Sequence, residues 1–301
     1  MYDVIVVGAG PAGLTASIYL RRNNKKVLVL EASSYGGQII NTLSIDNYPS
    51  QMGISGFDFA KKLYDESISL GSEIKFERVT AINNHDNYKE VVTNKDTYKA
   101  TAIILAMGTK NKLLDLPNEK ELVGKGISYC ATCDGAFFKG KDVAVVGGGN
   151  TAFEDAIYLS NVANKVYLIH RRDEFRAEAS LIEEAKNKSN IEFVVNSNIS
   201  VINGKDSLES VIVKNNSGNE KELKISGLFV AIGSTPGNDI VKDLVKLDEN
   251  GYIDAGEDCH TSVEGIFVSG DNRKKLLRQL VTATSDGAMA ATEAIKYVNN
   301  K

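Results

Sequence analysis

The chain has 301 residues, of which 43% are hydrophobic and 25% are charged, and its formal net charge is -4. This length and composition favour a globular protein of two domains. The acidic balance, without any basic run, disfavours nucleic acid and anionic membranes as partners. The sequence shows no leader pattern and no apolar stretch long enough to span a bilayer, so we expect a cytoplasmic protein with no membrane partner.

The N-terminal unit is predicted to be a strand, a glycine-rich turn and a helix. A β-branched run leads into a Gly-x-Gly-x-x-Gly motif formed by Gly8, Gly10 and Gly13. Such glycines permit a tight turn, close approach of the backbone to a pyrophosphate and close packing of the helix on the strand. The next predicted strand ends at Glu31, from which a carboxylate can accept hydrogen bonds from an unphosphorylated adenosine ribose. We therefore predict a dinucleotide site in this unit.

Further along the chain, Cys130 and Cys133 form a Cys-x-x-Cys motif and account for two of the three cysteines. Two thiols at this spacing can cycle between dithiol and disulfide by thiol exchange, and the neighbouring Asp134 is a candidate acid for a departing thiolate. Three alternatives stay open on these residues alone: a zinc site completed by Cys259 and His260, inert buried cysteines, and a simple turn role for Asp134. We favour the redox interpretation and expect no metal.

The region that follows repeats the N-terminal unit at a constant offset of 139 residues. Residues 142–159 match residues 3–20 at about half of their positions, and a strand, a glycine cluster and a helix again follow one another. Here the motif is Gly-x-Gly-x-x-Ala, and its predicted nucleotide-binding residues are Gly147, Gly149, Asn150, Thr151 and Ala152.

In this second unit, the position that corresponds to Glu31 is occupied by a basic cluster. Its members are His170, Arg171, Arg172 and Arg176. A guanidinium matches the geometry of a phosphate, whereas a carboxylate would repel it, so we predict that this site prefers NADPH over NADH. A solvated helix start is the alternative interpretation of the arginines.

Two crossings that contain Gly and Pro frame the second unit. One runs from Ala106 to Pro117 and the other from Gly233 to Gly237, and we interpret them as paired linkers. The predicted fold is α/β, with two Rossmann-like, three-layer dinucleotide-binding domains, the second inserted into the first. Its boundaries are residues 1–112 and 240–301 for an FAD-binding domain, and residues 113–239 for an NADPH-binding domain that carries the redox cysteines.

The C-terminal part is expected to complete the FAD-binding domain. A short predicted strand, residues 265–268, leads to Asp271, which could hold a ribityl or phosphate-linked group. Arg278 and Gln279 precede a helix predicted over residues 283–294, whose N-terminus could face the cofactor. An ordinary strand and helix with surface charge is the alternative.

Taken in order, these motifs resemble those of the low-molecular-weight thioredoxin reductases over essentially the whole chain. They are GAGPAG at 8–13, GGQ at 36–38, NYP at 47–49, CATCDG at 130–135, GGGNTA at 147–152, HRRDEFRA at 170–177, GD at 270–271 and RQ at 278–279. The resemblance implies a thioredoxin-disulfide reductase. In such an enzyme electrons pass from NADPH through FAD and the Cys130/Cys133 dithiol to the disulfide of a thioredoxin-like protein.

The resemblance also implies a homodimer and a set of FAD contacts. That set is Gly8, Ala9, Gly10, Pro11, Ala12, Gly13, Glu31, Gly36, Gly37, Gln38, Asn47, Val79, Asp271, Arg278, Gln279 and Leu280. By the same likeness Cys133 lies nearer the flavin, Cys130 attacks the thioredoxin disulfide and Asp134 is the acid. Met107 and Ser285 stand where the family more often has Thr and Gly, which concerns only the packing of FAD.

The layout predicts a conformational change as well. Both the cysteine pair and the nicotinamide must reach one flavin from a single inserted domain, so we predict a rotation about the paired linkers.

Other functions fit the sequence less well. A ferredoxin-linked flavoprotein would lack either the Cys-x-x-Cys motif or the NADPH signature, and a small-molecule dithiol oxidase would not need the arginine cluster. The flavoprotein subunit of alkyl hydroperoxide reductase has an added N-terminal domain. A non-enzymatic redox sensor or zinc-stabilised module represents a different class and would be neither yellow nor bleached by NADPH.

Overall fold

A computed structural model describes residues 1–42 and 44–301. The chain forms two compact units, one made of Met1–Lys110 with Thr235–Lys301 and the other of Asn111–Ser234. Each unit contains a sheet whose central strands are parallel, so the predicted α/β class with two Rossmann-like units is confirmed. The chain leaves the first unit after residue 110 and returns at residue 235, whereas the boundaries predicted from the sequence follow residues 112 and 239.

The first segment contains β1 (Tyr2–Val7), α1 (Pro11–Arg22), β2 (Val27–Glu31), α2 (Gly56–Ser69), β3 (Glu73–Phe76), β4 (Val79–Asn84), β5 (Lys89–Thr93) and β6 (Thr97–Leu105). The middle segment and its crossings contain β7 (Thr109–Asn111), β8 (Ile127–Ser128), α3 (Ala131–Asp134), β9 (Asp142–Val146), α4 (Asn150–Ser160), β10 (Lys165–Ile169), α5 (Ala179–Lys186), β11 (Ile191–Val194), β12 (Ser197–Asn203), β13 (Ser210–Asn215), β14 (Glu220–Lys224), β15 (Gly227–Val230) and β16 (Ser234–Pro236). The last segment contains β17 (Ile266–Val268) and α6 (Leu280–Asn299). Short 3₁₀ helices cover Gly37–Asn41, Gly135–Phe138 and Asp239–Val241.

In the first unit, β1 lies between β2 and β6 and runs parallel to both. β17 pairs with β6 in parallel, while β4 and β5 extend the sheet in antiparallel fashion. Both faces of β1 are covered, and Val4 to Val6 are fully buried, as a central parallel strand requires. Helix α6 packs closely on α1, since a Cβ at Gly287 would lie only 2.3 Å from the carbonyl oxygen of Ala12. The glycine turn after β1 therefore sits beside the last helix.

In the second unit, the parallel sheet has the strand order β11-β10-β9-β15-β8. One face packs against α3, α4 and α5 through a cluster that contains Phe153, Phe138 and Phe229. The other face packs against the antiparallel sheet β12-β13-β14 through a cluster that contains Val211, Val213 and Leu223. This sandwich places the turn after β9 and the segment after β8 at the carboxyl edge of the sheet, where α/β sheets bind ligands.

The last helix begins earlier and ends later than residues 283–294, the range predicted from its apolar pattern. It begins at Leu280 because Gln279 and Thr282 form a capping box, in which each side chain accepts a hydrogen bond from the other's backbone N–H. Reciprocal capping satisfies N–H groups that a helix leaves open at its start.

In the described part of the chain, no helix is both long and apolar enough to cross a bilayer.

Candidate active site and nucleotide loops

The turn between β1 and α1 requires glycine at two positions for different reasons. Gly8 has a φ of +109°, and a Cβ there would lie 2.3 Å from the carbonyl oxygen of Ala106. A Cβ at Gly13 would lie 1.9 Å from the carbonyl oxygen of Gly8, so the first turn of α1 packs directly on the loop. By contrast, a Cβ at Gly10 would meet only the Cα of Gly37, at 3.9 Å. The backbone N–H groups at the start of α1 thus have an approachable side, which suits a pyrophosphate.

Glu31 closes β2 and reaches back to this loop. Its Oε2 accepts a hydrogen bond from the Ala9 N–H at 2.9 Å, and its Oε1 accepts one from the Ser33 N–H at 3.0 Å. The Ala9 carbonyl in turn accepts from the Gly36 N–H at 2.8 Å. Each carboxylate oxygen has a further lone pair, so the half-buried Glu31 can still accept hydrogen bonds from a ribose beside the loop.

Asp271 follows β17 and presents a buried oxygen that is available to a ligand. Among the described residues its Oδ1 has no hydrogen-bond partner. Burial raises the pKa of Asp271, against the opposing effect of the charges on Lys275 and Arg278. An unpartnered buried carboxylate oxygen is costly unless a ligand or water supplies a donor. A hydroxyl-rich group such as the ribityl chain of a flavin would supply donors here.

Other residues that the resemblance assigns to FAD lie in the same unit. The Asn47 side-chain amide donates to the Gln279 Oε1 at 3.1 Å, which joins two positions far apart in the sequence. The Arg278 guanidinium lies 4.0 Å from the ring centre of Tyr252. Val79 has no polar side chain to offer a cofactor. It begins β4, and its side chain belongs to the apolar core.

Three further members of the assigned set are also in the first unit. The Gln38 amide donates to the carbonyl oxygen of Thr109, Leu280 is the first residue of α6, and Pro11 occupies the same place in α1. Of the two departures from the family pattern, Ser285 lies exposed within α6 and Met107 packs against the core.

The turn between β9 and α4 has the same construction in the second unit. Gly147 has a φ of +158°, and a Cβ there would lie 2.4 Å from the carbonyl oxygen of Ala231. A Cβ at Gly148 would lie within 2.5 Å of two ring nitrogens of His170. Gly149 has nothing within 4 Å of its Cβ position. This last position leaves the loop backbone open at the point where α4 begins.

The basic segment is fastened to this loop by backbone and side-chain hydrogen bonds. The Arg176 N–H donates to the Gly148 carbonyl oxygen at 2.8 Å. Asn150 and Glu178 exchange two hydrogen bonds, of 3.0 and 2.9 Å. Three guanidinium groups of this segment are exposed, and they belong to Arg171, Arg172 and Arg176. None of the three forms an ion pair with any residue in the ranges 1–42 and 44–301. They are therefore available to an anion.

His170 packs beside the glycine loop but does not add a positive charge to it. Burial lowers the pKa of His170, and the charges of Arg171, Arg176 and Arg172 lower it further, while a hydrogen bond with the Glu174 backbone opposes them. A histidine with a lowered pKa is neutral at pH 7. The positive field beside the glycine loop thus comes from the arginines.

The cysteine pair is a disulfide on a short helical turn. Cys130 is the N-cap residue of α3, and its Cα lies 5.3 Å from that of Cys133. The Ser128 hydroxyl accepts from the Cys130 N–H at 3.1 Å and donates to the Asp134 Oδ2 at 2.6 Å. Burial raises the pKa of Asp134, and the Ser128 hydrogen bond only partly offsets this. A carboxyl group with a raised pKa beside a redox pair is suited to donate a proton.

The zinc interpretation has no geometry to support it in the described residues. Cys259 is buried in the first unit, and its thiol points to the carbonyl oxygens of Glu257 and Asp286. In residues 1–42 and 44–301, no group of three or more His, Cys, Asp or Glu is placed to hold a metal.

Two buried carboxylates beside the cysteine segment were not predicted from the sequence. Glu119 is 1% exposed and accepts hydrogen bonds from the Leu114 N–H, the Asp115 N–H and the Tyr129 hydroxyl. The other, Asp155 in α4, is 9% exposed. A signal for it exists in the sequence, because it falls among the buried positions Ala152, Ala156 and Leu159. These share one helix face. Glu119 carries no such signal, because it lies in a stretch without regular structure.

Comparison with known proteins agrees with this geometry. The family model described as pyridine nucleotide-disulphide oxidoreductase matches residues 2–287. A thioredoxin reductase of Bacillus subtilis is 42% identical over 99% of this chain and 95% of its own length. A bifunctional thioredoxin reductase/thioredoxin of Mycobacterium leprae is 40% identical over 99% of this chain, which spans 66% of that protein.

A solved structure extends the likeness to the fold. The crystal structure of thioredoxin reductase from Streptococcus pyogenes has 39% identity and a TM-score of 0.95, and the match covers 100% of this chain and 99% of that one. Family membership implies a flavin and a pyridine nucleotide as cofactors. On this evidence the chain belongs to the pyridine nucleotide-disulphide oxidoreductases and, among them, to the thioredoxin reductases.

Proposed function

We propose that the chain uses NADPH, FAD and the Cys130–Cys133 pair to reduce the disulfide of a thioredoxin-like protein. The observation that carries this proposal is the disulfide on α3, held by Ser128 next to Asp134, in the same unit as a glycine loop bordered by arginines. When bound, FAD supplies a redox group that accepts two electrons from the nicotinamide and passes them to a disulfide.

The first unit, for which the sequence predicts the boundaries 1–112 and 240–301, would bind FAD. The open side of Gly10 and the start of α1 would receive the pyrophosphate. Glu31 would accept hydrogen bonds from the adenosine ribose, and the unpartnered Asp271 Oδ1 would accept one from the ribityl chain. The other members of the FAD set named above would complete the site.

The second unit, for which the sequence predicts the boundaries 113–239, would bind NADPH. The open backbone at Gly149 would receive the pyrophosphate, next to Asn150, Thr151 and Ala152 at the start of α4. Arg171, Arg172 and Arg176 would bind the 2′-phosphate, because guanidinium groups form charge-assisted and often bidentate hydrogen bonds with phosphate. His170 would pack beside Gly148 as a neutral ring.

The cysteines would exchange with the partner in two steps. The Cys130 thiolate attacks one sulfur of the partner disulfide, which forms a mixed disulfide and releases the other partner sulfur as a thiolate. The Cys133 thiolate then attacks the Cys130 sulfur, which restores the disulfide in α3 and releases the second partner sulfur. Asp134 would provide a proton for a departing thiolate, as its raised pKa allows. The partner leaves as a dithiol and the pair is ready for reduction again.

A thioredoxin-like partner is supported by the name of the Mycobacterium leprae relative, which joins thioredoxin reductase and thioredoxin in one protein. We also propose, on the resemblance, that the chain acts as a homodimer in the cytoplasm and that the inserted unit rotates about its linkers during turnover.

The redox assignment is tested by a cysteine replacement with a matched control. Cys130→Ser should still let NADPH bleach the flavin but should lose at least about 10³-fold in thioredoxin reduction, on the scale of loss of an active-site nucleophile. Cys259→Ser, at the buried cysteine of the other unit, should keep most of the activity. Full thioredoxin reduction by Cys130→Ser would contradict the proposal.

The phosphate assignment is tested by the double replacement of Arg171 and Arg172 with Ala. We expect the KM for NADPH to rise about 10- to 100-fold, equivalent to about 1.4 kcal/mol for each factor of ten, with little change in the KM for NADH. Lys188→Ala, which removes a cation elsewhere on the same unit, should alter neither value. An unchanged preference for NADPH in the double variant would refute the assignment.

A further inference from the structure

A buried hydroxyl lies between the first redox cysteine and the carboxyl group that follows the second. Ser128 ends β8 and is 4% exposed. In the parallel pairing of β8 with β15, Ser128 lies opposite Phe229 and Ile127 lies opposite Leu228. Ile127 and Leu228 belong to the cluster on the side of the antiparallel sheet, and successive side chains of a strand point to opposite faces. The Ser128 side chain therefore faces the helical side of the sheet, where α3 packs.

Three contacts fix this hydroxyl. Its oxygen accepts from the Cys130 N–H at 3.1 Å, and it lies 2.6 Å from the Asp134 Oδ2 and 3.3 Å from the Cys130 carbonyl oxygen. A serine has one proton to donate, and a distance of 2.6 Å is typical of a hydroxyl that donates to a carboxylate. The proton is therefore directed to Asp134 when that group is ionised. A chain of hydrogen bonds thus runs from the Cys130 backbone through Ser128 to the carboxylate.

Ser128 is the polar group that sets the acidity of Asp134. Helix α3 packs against α4 and the 3₁₀ helix that follows it. The titratable groups on these elements and on the segment of Asp134 itself are Tyr129, Cys130, Cys133, Glu154, Asp155 and Tyr158. Burial raises the pKa of Asp134 and the Ser128 hydrogen bond lowers it, and in the described part of the chain no charged neighbour contributes to the shift.

We propose that Ser128 is a positioning residue for the acid Asp134, whose Oδ2 it holds and whose carboxylate it stabilises after the proton has passed to a departing thiolate. This inference deepens the proposed function and rests on it. The Cys130 thiolate bonds to one sulfur of a substrate disulfide, the bond between the two substrate sulfurs breaks, and the other sulfur leaves with the electron pair. The O–H bond of Asp134 then breaks, the proton joins the leaving sulfur and the negative charge passes to Asp134.

The hydroxyl acts on this step through the charge that Asp134 acquires. A hydrogen bond to the charged form of a carboxyl group favours that form, so Ser128 makes Asp134 a stronger acid. Without the hydroxyl, the pKa of Asp134 should rise and the proton should be given up less readily.

The titration of Asp134 in the oxidised holoenzyme tests the contact directly. The protonated carboxyl group has a C=O stretch in the infrared, and the pH-dependent band that Asp134→Asn lacks belongs to this residue. In Ser128→Ala the pKa obtained from that band should move up by about one pH unit, because a hydrogen bond to a charged group is lost. Ser128→Gly, which also lacks the hydroxyl, should show the same change, and Ser128→Thr should restore the original titration.

The matched control is Ser197→Ala on β12 of the same unit. Ser197 is 5% exposed, and its hydroxyl donates to the Val195 carbonyl oxygen at 2.8 Å. The control removes an equally buried hydroxyl that bonds to the backbone rather than to Asp134, so the titration of Asp134 should not change. The same titration in Ser128→Ala and Ser128→Gly as in the unaltered protein would overturn the proposal.

A thiol-exchange assay tests the consequence for proton transfer. Cys133→Ser combined with Cys259→Ser leaves Cys130 as the only thiol of the chain, and its rate of attack is measured with two disulfides. Hydroxyethyl disulfide releases a basic alkyl thiolate that needs a proton, whereas dithiobis-nitrobenzoate releases a weakly basic aromatic thiolate that leaves readily without one. The ratio of the first rate to the second cancels the ionisation of Cys130, which both reactions share, and so reports the acid alone.

This ratio should fall as the pH rises through the pKa of Asp134, since the protonated acid is lost. In Ser128→Ala the fall should occur about one pH unit higher. In Asp134→Asn the ratio should not depend on pH, and adding Ser128→Ala should change nothing further. A purely structural role for Ser128 would slow both disulfides by the same factor and leave the ratio unchanged. That result, or a ratio independent of pH with Ser128 and Asp134 both present, would overturn the proposal.

Neither measurement depends on NADPH or on a thioredoxin-like protein. Failure of the proposed function would appear instead in the Cys130→Ser assay.

Discussion

Asp286 on α6 neutralises two buried cations in the first unit, and its replacement by Asn should destabilise that unit strongly. Its Oδ1 accepts from the Arg273 Nη2 at 2.8 Å, and its Oδ2 accepts from the Arg273 Nε at 2.8 Å, the Lys275 Nζ at 2.9 Å and the Gly270 N–H at 3.1 Å. The side chains of Arg273 and Lys275 are 3% and 5% exposed. Asp286→Asn preserves the shape of the residue but removes the charge that both cations need.

The size of the effect follows from this burial. Removing one partner of a buried ion pair typically costs about 3–5 kcal/mol, because the remaining charge is uncompensated. Glu257 contributes little in exchange, since it lies 3.5 Å from Arg273 but is 94% exposed and is screened by water. We therefore expect a loss of about 3–5 kcal/mol in the free energy of unfolding of this unit. At about 2–4 °C per kcal/mol, the midpoint should fall by about 6–20 °C.

Urea unfolding of the FAD-loaded protein, followed by far-UV circular dichroism and by release of flavin fluorescence, measures this loss. The matched control is Glu293→Gln, two helical turns further along α6, whose carboxylate pairs with the exposed Lys296. A surface pair of this kind is worth about 0–1 kcal/mol. The reasoning is refuted if Asp286→Asn is no less stable than Glu293→Gln.

The pH dependence gives an independent check on the same carboxylate. Burial alone would raise the pKa of Asp286, but the hydrogen bonds from Arg273 and Lys275 outweigh it and lower the pKa. A group with a lowered folded pKa stabilises the protein above its unfolded pKa, and this contribution is lost as the pH falls through the folded pKa. The stability difference between the unaltered protein and Asp286→Asn should thus be constant from about pH 5 to 8 and shrink below about pH 4.

The remaining predictions concern the FAD loop and the segment before the cysteines. Gly13→Ala places a Cβ 1.9 Å from the Gly8 carbonyl oxygen, so α1 must shift. The FAD content of the purified protein should then fall about tenfold or more, whereas the neighbouring control Thr15→Ala should retain FAD. Glu31→Ala leaves the Ala9 and Ser33 N–H groups without their acceptor and should raise the Kd for FAD by about 10- to 100-fold in a fluorescence titration. This change is consistent with about 1.5–3 kcal/mol for hydrogen bonds to a charged group. An unchanged Kd would contradict the assignment. Glu119→Gln should lower the stability of the second unit by about 1–3 kcal/mol. Burial and then Glu119 raise the pKa of Tyr129, so an ultraviolet titration should show that pKa falling in Glu119→Gln, and an identical titration would refute the contact.

Much of the site scaffold was predictable because it depends on local sequence. Both strand–turn–helix units, the end of β2 at Glu31 and the short strand before Asp271 follow from β-branched runs, glycine spacing and helical periodicity. The start of α6 at Leu280 was not predicted, because the prediction followed the apolar pattern, whereas the helix begins at the capping box of Gln279 and Thr282. The antiparallel strands β12 to β14 were also missed, because strand pairing depends on partners elsewhere in the chain.

The sequence by itself determined the two glycine loops, the opposite charges that follow them and the spacing of Cys130 and Cys133, and these were enough to identify the class of enzyme. Such features act within a few residues, where backbone conformation and side-chain chemistry are set by the chain itself. Only the tertiary structure decided which charged groups are buried, and with which partners. Glu119 meets Tyr129, and Asp286 meets Arg273 and Lys275, because folding removes water from both sets and leaves each carboxylate to respond to the groups that packing brings to it.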